Sequence, residues 1–158
     1  MKRLAALALL AGAAHAHDAR VLDDFADASP WRAIASDQVT AGLRAADGAL
    51  CLAYDFNGVS GYAGLRRELA IDYPPDYEFA FDVRGAGPPN AFQFKLADAS
   101  GDNVWWVERS NTTFAPDWQP VRYKQRQIAF AQGQRIDTEL AVAALVCIDR
   151  ELDAVAAS

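Results

Sequence analysis

Acidic side chains are the residues of this chain whose type could support catalysis. Two carboxylates at a fixed separation can hydrolyse a glycosidic bond, one as the acid and the other as base or nucleophile. Five acidic residues are candidates for such a pair, Glu68, Asp72, Glu78, Asp82 and Glu108. Their spacing singles out no pair, and the sequence contains neither a Gly-x-Ser-x-Gly nor a His-Glu-x-x-His motif. Because the two histidines, His15 and His17, lie at the N terminus, the sequence predicts a protein that is not an enzyme.

The N terminus has the three parts of a secretory signal peptide. Met1-Lys2-Arg3 is basic, Leu4–Ala14 is apolar, and Ala14-His15-Ala16 is a small-x-small cleavage site. The apolar stretch is too short to span a bilayer as a helix, although it could instead form a buried N-terminal helix. We therefore expect residues 1–16 to be a signal peptide and the mature chain to be secreted or periplasmic, with no membrane contact after cleavage. A signal and composition of this kind are typical of a bacterial protein.

The two cysteines, Cys51 and Cys147, lie far apart in the sequence. In an exported chain they could form one disulfide that closes a long loop. The alternative is a pair of separate buried thiols, which pack like small hydrophobic side chains. Two cysteines without a nearby histidine make a poor zinc site, so this pair predicts no metal.

Length and charge limit the class of protein. A chain of 158 residues with 52% hydrophobic residues suits one domain with its own core. The formal net charge of −6 argues against binding to nucleic-acid phosphates through bulk electrostatics. We therefore expect no nucleic-acid partner, and the sequence does not determine the oligomeric state.

Several segments alternate apolar and polar residues with a period of two. They are Leu50–Phe56, Tyr77–Arg84, Phe92–Ala97 and Val121–Arg126. This alternation predicts half-buried strands, and stretches rich in Gly, Pro, Asn and Asp separate them. No strand–helix–strand rhythm is present, so the sequence favours an all-β fold, an antiparallel β-sandwich or jelly roll.

The last quarter of the chain has a different period. One set of apolar residues recurs at steps of three or four, apart from the adjacent pair Cys147 and Ile148: Ile136, Leu140, Ala144, Cys147, Ile148, Leu152 and Val155. This spacing predicts a C-terminal amphipathic helix within a tail at residues 133–158. The alternative is a final strand around Ala143–Ile148, which is also sufficiently apolar.

Several segments together resemble a known fold family. Val21–Phe25 followed by Trp31 resembles the opening strand of galactose-binding-like jelly rolls, and Tyr77–Arg84 with the Gly85-Ala86-Gly87 turn resembles a later strand. Thr112–Val121 is similar to the entry into a late strand, which ends near Phe130. Family-11 carbohydrate-binding modules and the complex I intermediate-associated protein 30 domain share these features. The resemblance implies a jelly roll at residues 20–132 that binds sugars and is often attached to a glycoside hydrolase.

The chain departs from this family after Phe130. Such domains close with one or two strands, the last of which carries a short Asp-Asp-Leu-like motif. Asp149-Arg150-Glu151-Leu152 is a poor match to that motif, and no second alternating strand of good length follows Phe130. The tail at residues 133–158 is therefore atypical, and a missing closing strand would leave an open sheet edge.

Sugar recognition needs an aromatic surface beside side chains that donate and accept several hydrogen bonds. Trp105 and Trp106 are adjacent, so on a strand they point to opposite faces, and we predict that Trp106 points outward. The predicted carbohydrate-binding residues are Trp106, Arg84, Gln93, Lys95 and Lys124. The alternative is a solvated polar face on which cross-strand charges pair with one another.

The acidic pair Asp23 and Asp24 suggests a calcium site. Ca²⁺ prefers six to eight oxygen ligands, and in modules of the resembled family a structural calcium can sit near the chain ends. We therefore predict a structural calcium at Asp23 and Asp24, with no cofactor otherwise required.

Two functions are consistent with these observations. The first is an exported, non-catalytic carbohydrate-binding module, an accessory to a glycoside hydrolase, whose partner is a polysaccharide or oligosaccharide. The alternative is a protein–protein interaction or assembly domain of the same fold.

Overall fold

The computed structural model describes residues 19–46, 48–130 and 144–155. The predicted signal peptide at residues 1–16 and the first part of the predicted tail lie outside these residues. Within the described residues the strands are β1 Arg20–Asp23, β2 Trp31–Ala35, β3 Thr40–Ala46, β4 Ala49–Asp55, β5 Ala63–Arg67, β6 Glu78–Ala86, β7 Asn90–Ala97, β8 Val104–Thr112, β9 Gln119–Lys124, β10 Ala129–Phe130 and β11 Ala144–Val155. One 3₁₀ turn, Gln125–Gln127, follows β9. No helix within the described residues has the length and apolarity that crossing a membrane requires.

The strands form three antiparallel groups. The largest sheet has the order β3-β4-β11-β6-β9, and β1 pairs with the end of β11. A second sheet has the order β10-β8-β7, and β2 and β5 form a two-stranded ladder. This architecture confirms the predicted all-β antiparallel sandwich.

Aromatic rings from the two larger sheets meet in the core. Phe79 and Tyr123 are fully buried on β6 and β9, and both face Phe94 of β7. The ring centroids lie 5.0 Å apart for Phe79 and Phe94 and 5.5 Å apart for Phe94 and Tyr123. Rings at these distances are in favourable contact, so the alternation on β6, β7 and β9 buries one face of each strand and joins the sheets face to face.

The predicted C-terminal helix is wrong, because Ala144–Val155 is strand β11. Residues 144–148 form a continuous apolar run, and periodicity alone does not separate such a run in a buried strand from one in a helix. Tertiary pairing decides the outcome: β4 and β6 each carry backbone N–H and C=O groups that β11 satisfies from its two sides. The alternative interpretation, a final strand around Ala143–Ile148, agrees with the described part of this segment.

The expected gap at the end of the fold is also absent. Strand β11 closes the largest sheet, and it does so from the middle, between β4 and β6. Its pairing with β6 shifts register between Asp149 and Asp153, so the acidic stretch at 149–152 lies at an irregularity of the ladder. The sheet that begins at Arg20 therefore includes residues from the atypical tail.

Candidate functional site

The outer face of β7 and β8 brings an aromatic ring and several polar groups together. Lys95 lies directly opposite Trp106, and Gln93 lies directly opposite Glu108. The residues between them, Phe94 and Val107, pack against the core. Because side chains alternate along a strand, these four residues share the solvent-facing side, and we call Trp106, Lys95, Gln93 and Glu108 the Trp106 platform.

The polar groups of the platform are held in place by each other. The Nζ atom of Lys95 lies 4.8 Å from the centre of the Trp106 ring, within the range of a cation–π contact. Gln93 Nε2 donates a hydrogen bond of 2.8 Å to Glu108 Oε2, and Ser110 Oγ lies 3.4 Å from Glu108 Oε1. Burial lowers the pKa of Lys95, and the negative charge of Glu108 acts in the opposite direction.

The side of Trp106 away from Lys95 faces β10. There its register partner is Ala129, an exposed residue with only a methyl group. Trp106 thus lies on the middle strand of its sheet, between an ammonium group and a methyl group. The indole can contact an apolar surface of a ligand. Lys95 can donate hydrogen bonds, and the Glu108 carboxylate and the side-chain carbonyl oxygen of Gln93 can accept them.

Trp105 points to the other face of β8. Its register partners are Leu96 and Phe130, and its ring centre lies 5.4 Å from that of Phe130. Trp105 remains 37% exposed and Phe130 49% exposed, so this pair covers the rim of the sandwich rather than its centre. The register therefore sets the two rings on opposite faces of β8, with Trp106 on the face away from the core, and Trp106 is the less exposed of the two.

Arg84 and Lys124 do not join the platform. They lie on the outer face of the largest sheet, which is the opposite side of the sandwich. The Arg84 guanidinium lies 4.4 Å from the centre of the Trp118 ring, and Lys124 Nζ lies 3.9 Å from Glu78 Oε2. The sequence analysis assigned these residues to the same binding surface as Trp106. Alternation distinguishes inward from outward positions, but it does not show which sheet a strand joins.

The surroundings of Asp23 do not suit a calcium ion. Its carboxylate accepts hydrogen bonds from the Phe25 backbone N–H (2.7 Å) and Trp31 Nε1 (2.8 Å), and it forms an ion pair with Arg67. A guanidinium in contact with the carboxylate would repel a cation. Asp24 accepts only the backbone N–H of Ala26 (3.0 Å) at an exposed position.

No group of three or more acidic, histidine or cysteine side chains within the described residues could hold a metal. A cavity of about 330 Å³ lies beside Asp23 and is also lined by Val21, Leu22, Asp24, Asp27, Pro30 and Arg67. The Asp27 carboxylate in this lining accepts hydrogen bonds from the Ser29 backbone N–H and hydroxyl (2.8 Å each), and the Arg67 guanidinium lies against the Asp23 carboxylate.

The cysteines lie on neighbouring strands. Cys51 of β4 is 6% exposed and takes part in a disulfide. The register of β4 and β11 sets Cys51 directly opposite Cys147, the other cysteine of the chain. Because β11 fills the centre of the largest sheet, a covalent link at this position would tie the closing strand to β4.

Two features of the platform were not evident from the sequence. The hydrogen bond between Gln93 and Glu108 depends on the register of β7 with β8, which alternation does not determine. Ala129 beside Trp106 depends on the pairing of β10, a strand of two residues. A strand of two residues has no recognisable periodicity, so only the three-dimensional structure shows that the small residue Ala129 lies beside Trp106.

Comparisons with known proteins identify the fold. No family model matches this chain, and no curated protein matches it in sequence. The family-11 carbohydrate-binding module of the cellulosomal cellulase Lic26A-Cel5E of Clostridium thermocellum superposes with a TM-score of 0.66 at 13% identity, covering 90% of this chain and 96% of that one. A family-11 module from Clostridium thermocellum in complex with a β-1,3-1,4-mixed-linked tetrasaccharide gives a TM-score of 0.56 at 15% identity, covering 87% and 91%.

A third solved structure, the solution structure of CtCBM11, gives a TM-score of 0.58 at 13% identity and covers 92% of this chain and 99% of that chain. These likenesses show that the chain has the jelly-roll fold of family-11 carbohydrate-binding modules, as the sequence resemblance predicted. The resemblance to the complex I intermediate-associated domain stays a prediction.

Proposed function

We propose that this jelly roll is a non-catalytic carbohydrate-binding protein that holds a glycan against the Trp106 platform. The observation that carries the proposal is the indole of Trp106, set on the outer face of a sheet among Lys95, Gln93 and Glu108. The fold supports it, because the three solved structures compared above are carbohydrate-binding modules and one of them is in complex with a tetrasaccharide.

The chemistry of the platform suits a polyhydroxylated ring. The C–H face of a pyranose is apolar and packs against an aromatic ring, while its hydroxyl groups both donate and accept hydrogen bonds. Lys95 supplies donors, and Glu108 and the Gln93 carbonyl oxygen supply acceptors. Lys95 already lies over the indole and Gln93 already donates a hydrogen bond to Glu108, so less side-chain entropy is lost when a ligand orders them.

An open sheet face also fits the middle of a polysaccharide chain better than the end of a chain, because nothing need close around the ligand. We propose that the protein is exported and that it acts as an accessory to a glycoside hydrolase, which it would hold near its substrate. In this proposal binding requires no cofactor, and the protein contributes no catalytic residue.

Replacement of Trp106 tests this proposal. We expect Trp106→Ala to weaken glycan binding about tenfold or more, because loss of a central aromatic anchor typically costs ~2 kcal/mol. The measurement is isothermal titration against a panel of soluble glucans, xylans and galactans. The urea midpoint should remain near the wild-type value, since the indole lies on the outer face.

Trp118→Ala is the matched control, because it removes a tryptophan from the opposite side of the sandwich, where Arg84 stacks on the ring. It should leave glycan affinity unchanged. Equal affinity of the wild type and Trp106→Ala would contradict the proposal, as would a large loss of stability in Trp106→Ala, which would place the ring in the core.

The alternative function, an assembly domain, is favoured by one observation. Trp105 and Phe130 form an exposed ring pair at the rim, and exposed aromatic rings are common at protein interfaces. Cooperative unfolding together with no response to any glycan of the panel would favour this alternative.

A further inference from the structure

The ladder of β2 and β5 has an outer face with an unusual set of side chains. Arg32 lies directly opposite Arg66, and Ile34 lies directly opposite Gly64. Their neighbours Trp31 and Arg67 turn the other way and contact Asp23. Because alternate residues of a strand share a face, Arg32, Arg66, Ile34 and Gly64 lie together, and we call them the arginine face.

Two like charges directly opposite each other destabilise a sheet. Arg32 has a partial partner, since its Nη2 lies 3.2 Å from Glu68 Oε1, but these side chains are 58% and 81% exposed and such a pair stabilises little. Arg66 is exposed, and no ion pair or hydrogen bond joins its side chain to another described residue. The arginine face therefore has positive charge and several N–H donors without an acceptor.

An apolar surface lies beside these two charges. Ile34 is 36% exposed, and its Cγ1 atom lies 3.6 Å from the point where a Cβ of Gly64 would stand. Gly64 carries no side chain, so the ladder is flat next to Ile34. Two residues along a strand span about 7 Å, and neighbouring strands lie about 5 Å apart. The arginine face is therefore roughly the size of one sugar ring.

We propose that the arginine face binds a carboxylated sugar residue, such as a uronic acid of an acidic glycan. The carboxylate would accept paired hydrogen bonds from the forked guanidinium groups of Arg32 and Arg66, which match its geometry. The C–H face of the ring would lie over Ile34 and Gly64. This site is separate from the Trp106 platform in residues and in ligand, so it does not depend on the function proposed above.

The charge of the whole chain favours a glycan over denser polyanions. The formal net charge is −6, so nucleic acids and strongly anionic membranes meet a repulsive field that two arginines offset only locally. A glycan with one carboxylate per ring presents less charge and also supplies the apolar ring face.

The test compares two ligands that differ only in the carboxylate. One is a neutral β-glucan oligosaccharide, and the other is the same oligosaccharide oxidised at C6. In isothermal titration at low salt, we expect Arg66→Gln to reduce affinity for the oxidised oligosaccharide about tenfold, as expected for loss of a charge-assisted, bidentate contact. Arg66→Lys keeps the positive charge but loses the bidentate guanidinium, so its affinity should lie between those of Arg66→Gln and the wild type.

Arg126→Gln is the matched control, because it removes the same charge from an exposed position on the 3₁₀ turn. It should leave the affinity unchanged, whereas 0.5 M NaCl should weaken wild-type binding through screening. Trp106→Ala should still bind the oxidised oligosaccharide, and this variant separates the two proposals. If the wild-type protein does not bind the neutral oligosaccharide but does bind the oxidised one, the platform proposal fails and the arginine-face proposal stands.

Several results would overturn the inference. They are equal affinity of Arg66→Gln and Arg126→Gln, loss of oxidised-glycan binding in Trp106→Ala, and tighter binding of short duplex DNA or anionic vesicles than of the oxidised oligosaccharide. The urea midpoint of Arg66→Gln should equal or exceed that of the wild type, because the substitution relieves repulsion with Arg32. A lower midpoint would assign Arg66 a structural role instead.

Discussion

Lys95 takes part in two opposing interactions on the platform. Its ammonium group lies over the Trp106 ring, and part of its surface is removed from water. Burial disfavours the charged form and lowers the pKa of Lys95, while the negative charge of Glu108 favours the charged form. Since a sugar that stacks on this side of the indole must displace the ammonium group, the charge state of one residue affects the affinity of the site.

We expect Glu108→Gln to lower the pKa of Lys95 further, because the substitution removes the charge that favours the ammonium form. The measurement is an NMR titration of the Lys95 side chain in both proteins. The folded pKa lies below that of a free lysine, so between these two values the unfolded chain binds more protons and the contribution of Lys95 to stability rises with pH. A higher pKa in Glu108→Gln would contradict this account.

Asp23 shows what residue type alone leaves undecided. A pair of adjacent aspartates where a strand ends could form a metal site or could anchor neighbouring segments. Three donors, from Phe25, Trp31 and Arg67, surround the Asp23 carboxylate and link β1 to the ladder of β2 and β5. Arg67 lies 44 residues along the chain from Asp23, so the sequence around Asp23 contains no sign of this ion pair.

At the scale of secondary structure, strand β11 holds the largest sheet together. It pairs with β4 along 144–149 and with β6 along most of its length, so both of its edges are occupied. A residue in such a central strand needs its backbone N–H for the ladder.

Val146→Pro should therefore abolish cooperative unfolding or lower stability by about 3 kcal/mol or more, because proline removes a ladder hydrogen bond in a central strand. Val146→Ala, which keeps the N–H, is the control and should lose less. Urea unfolding followed by tryptophan fluorescence measures both. Equal stability of the proline and alanine variants would mean that β11 is not needed for the sheet.

Prediction of the elements from sequence succeeded where strands alternate. The expected segments at Leu50–Phe56, Tyr77–Arg84 and Phe92–Ala97 correspond to β4, β6 and β7 within about two residues at each end. The prediction failed at β11, because its apolar residues are consistent with both a helical period and a strand. It also left β2 and β5 unassigned, since these short strands bury only part of one side and show little contrast between apolar and polar positions.

At the scale of the whole molecule, the sandwich divides the predicted carbohydrate-binding residues between two outer faces. The platform lies on the β7–β8 side, and Arg84, Arg122 and Lys124 lie on the β6–β9 side, where Glu78 pairs with the last two. The predicted carbohydrate-binding residues therefore lie on two different faces, because the sequence does not show which sheet each strand joins.

This division predicts a contrast between two double variants. Arg84→Gln with Lys124→Gln should leave glycan affinity unchanged, whereas Gln93→Ala with Lys95→Ala should alter it, because only the second pair lies beside Trp106. Titration of one glycan against both variants makes the comparison. An effect of the first pair equal to that of the second would mean that the ligand contacts the β6–β9 side.

The central position of β11 also sets the order in which the protein can fold. A growing chain contains β3, β4, β6 and β9 before residues 144–155 exist. Until then β4 and β6 each present an unpaired edge, and contacts between such distant segments form slowly. If the chain stays unfolded until β11 is complete, the edges of β4 and β6 cannot pair with another copy of the protein. This topology therefore favours folding after synthesis rather than during it.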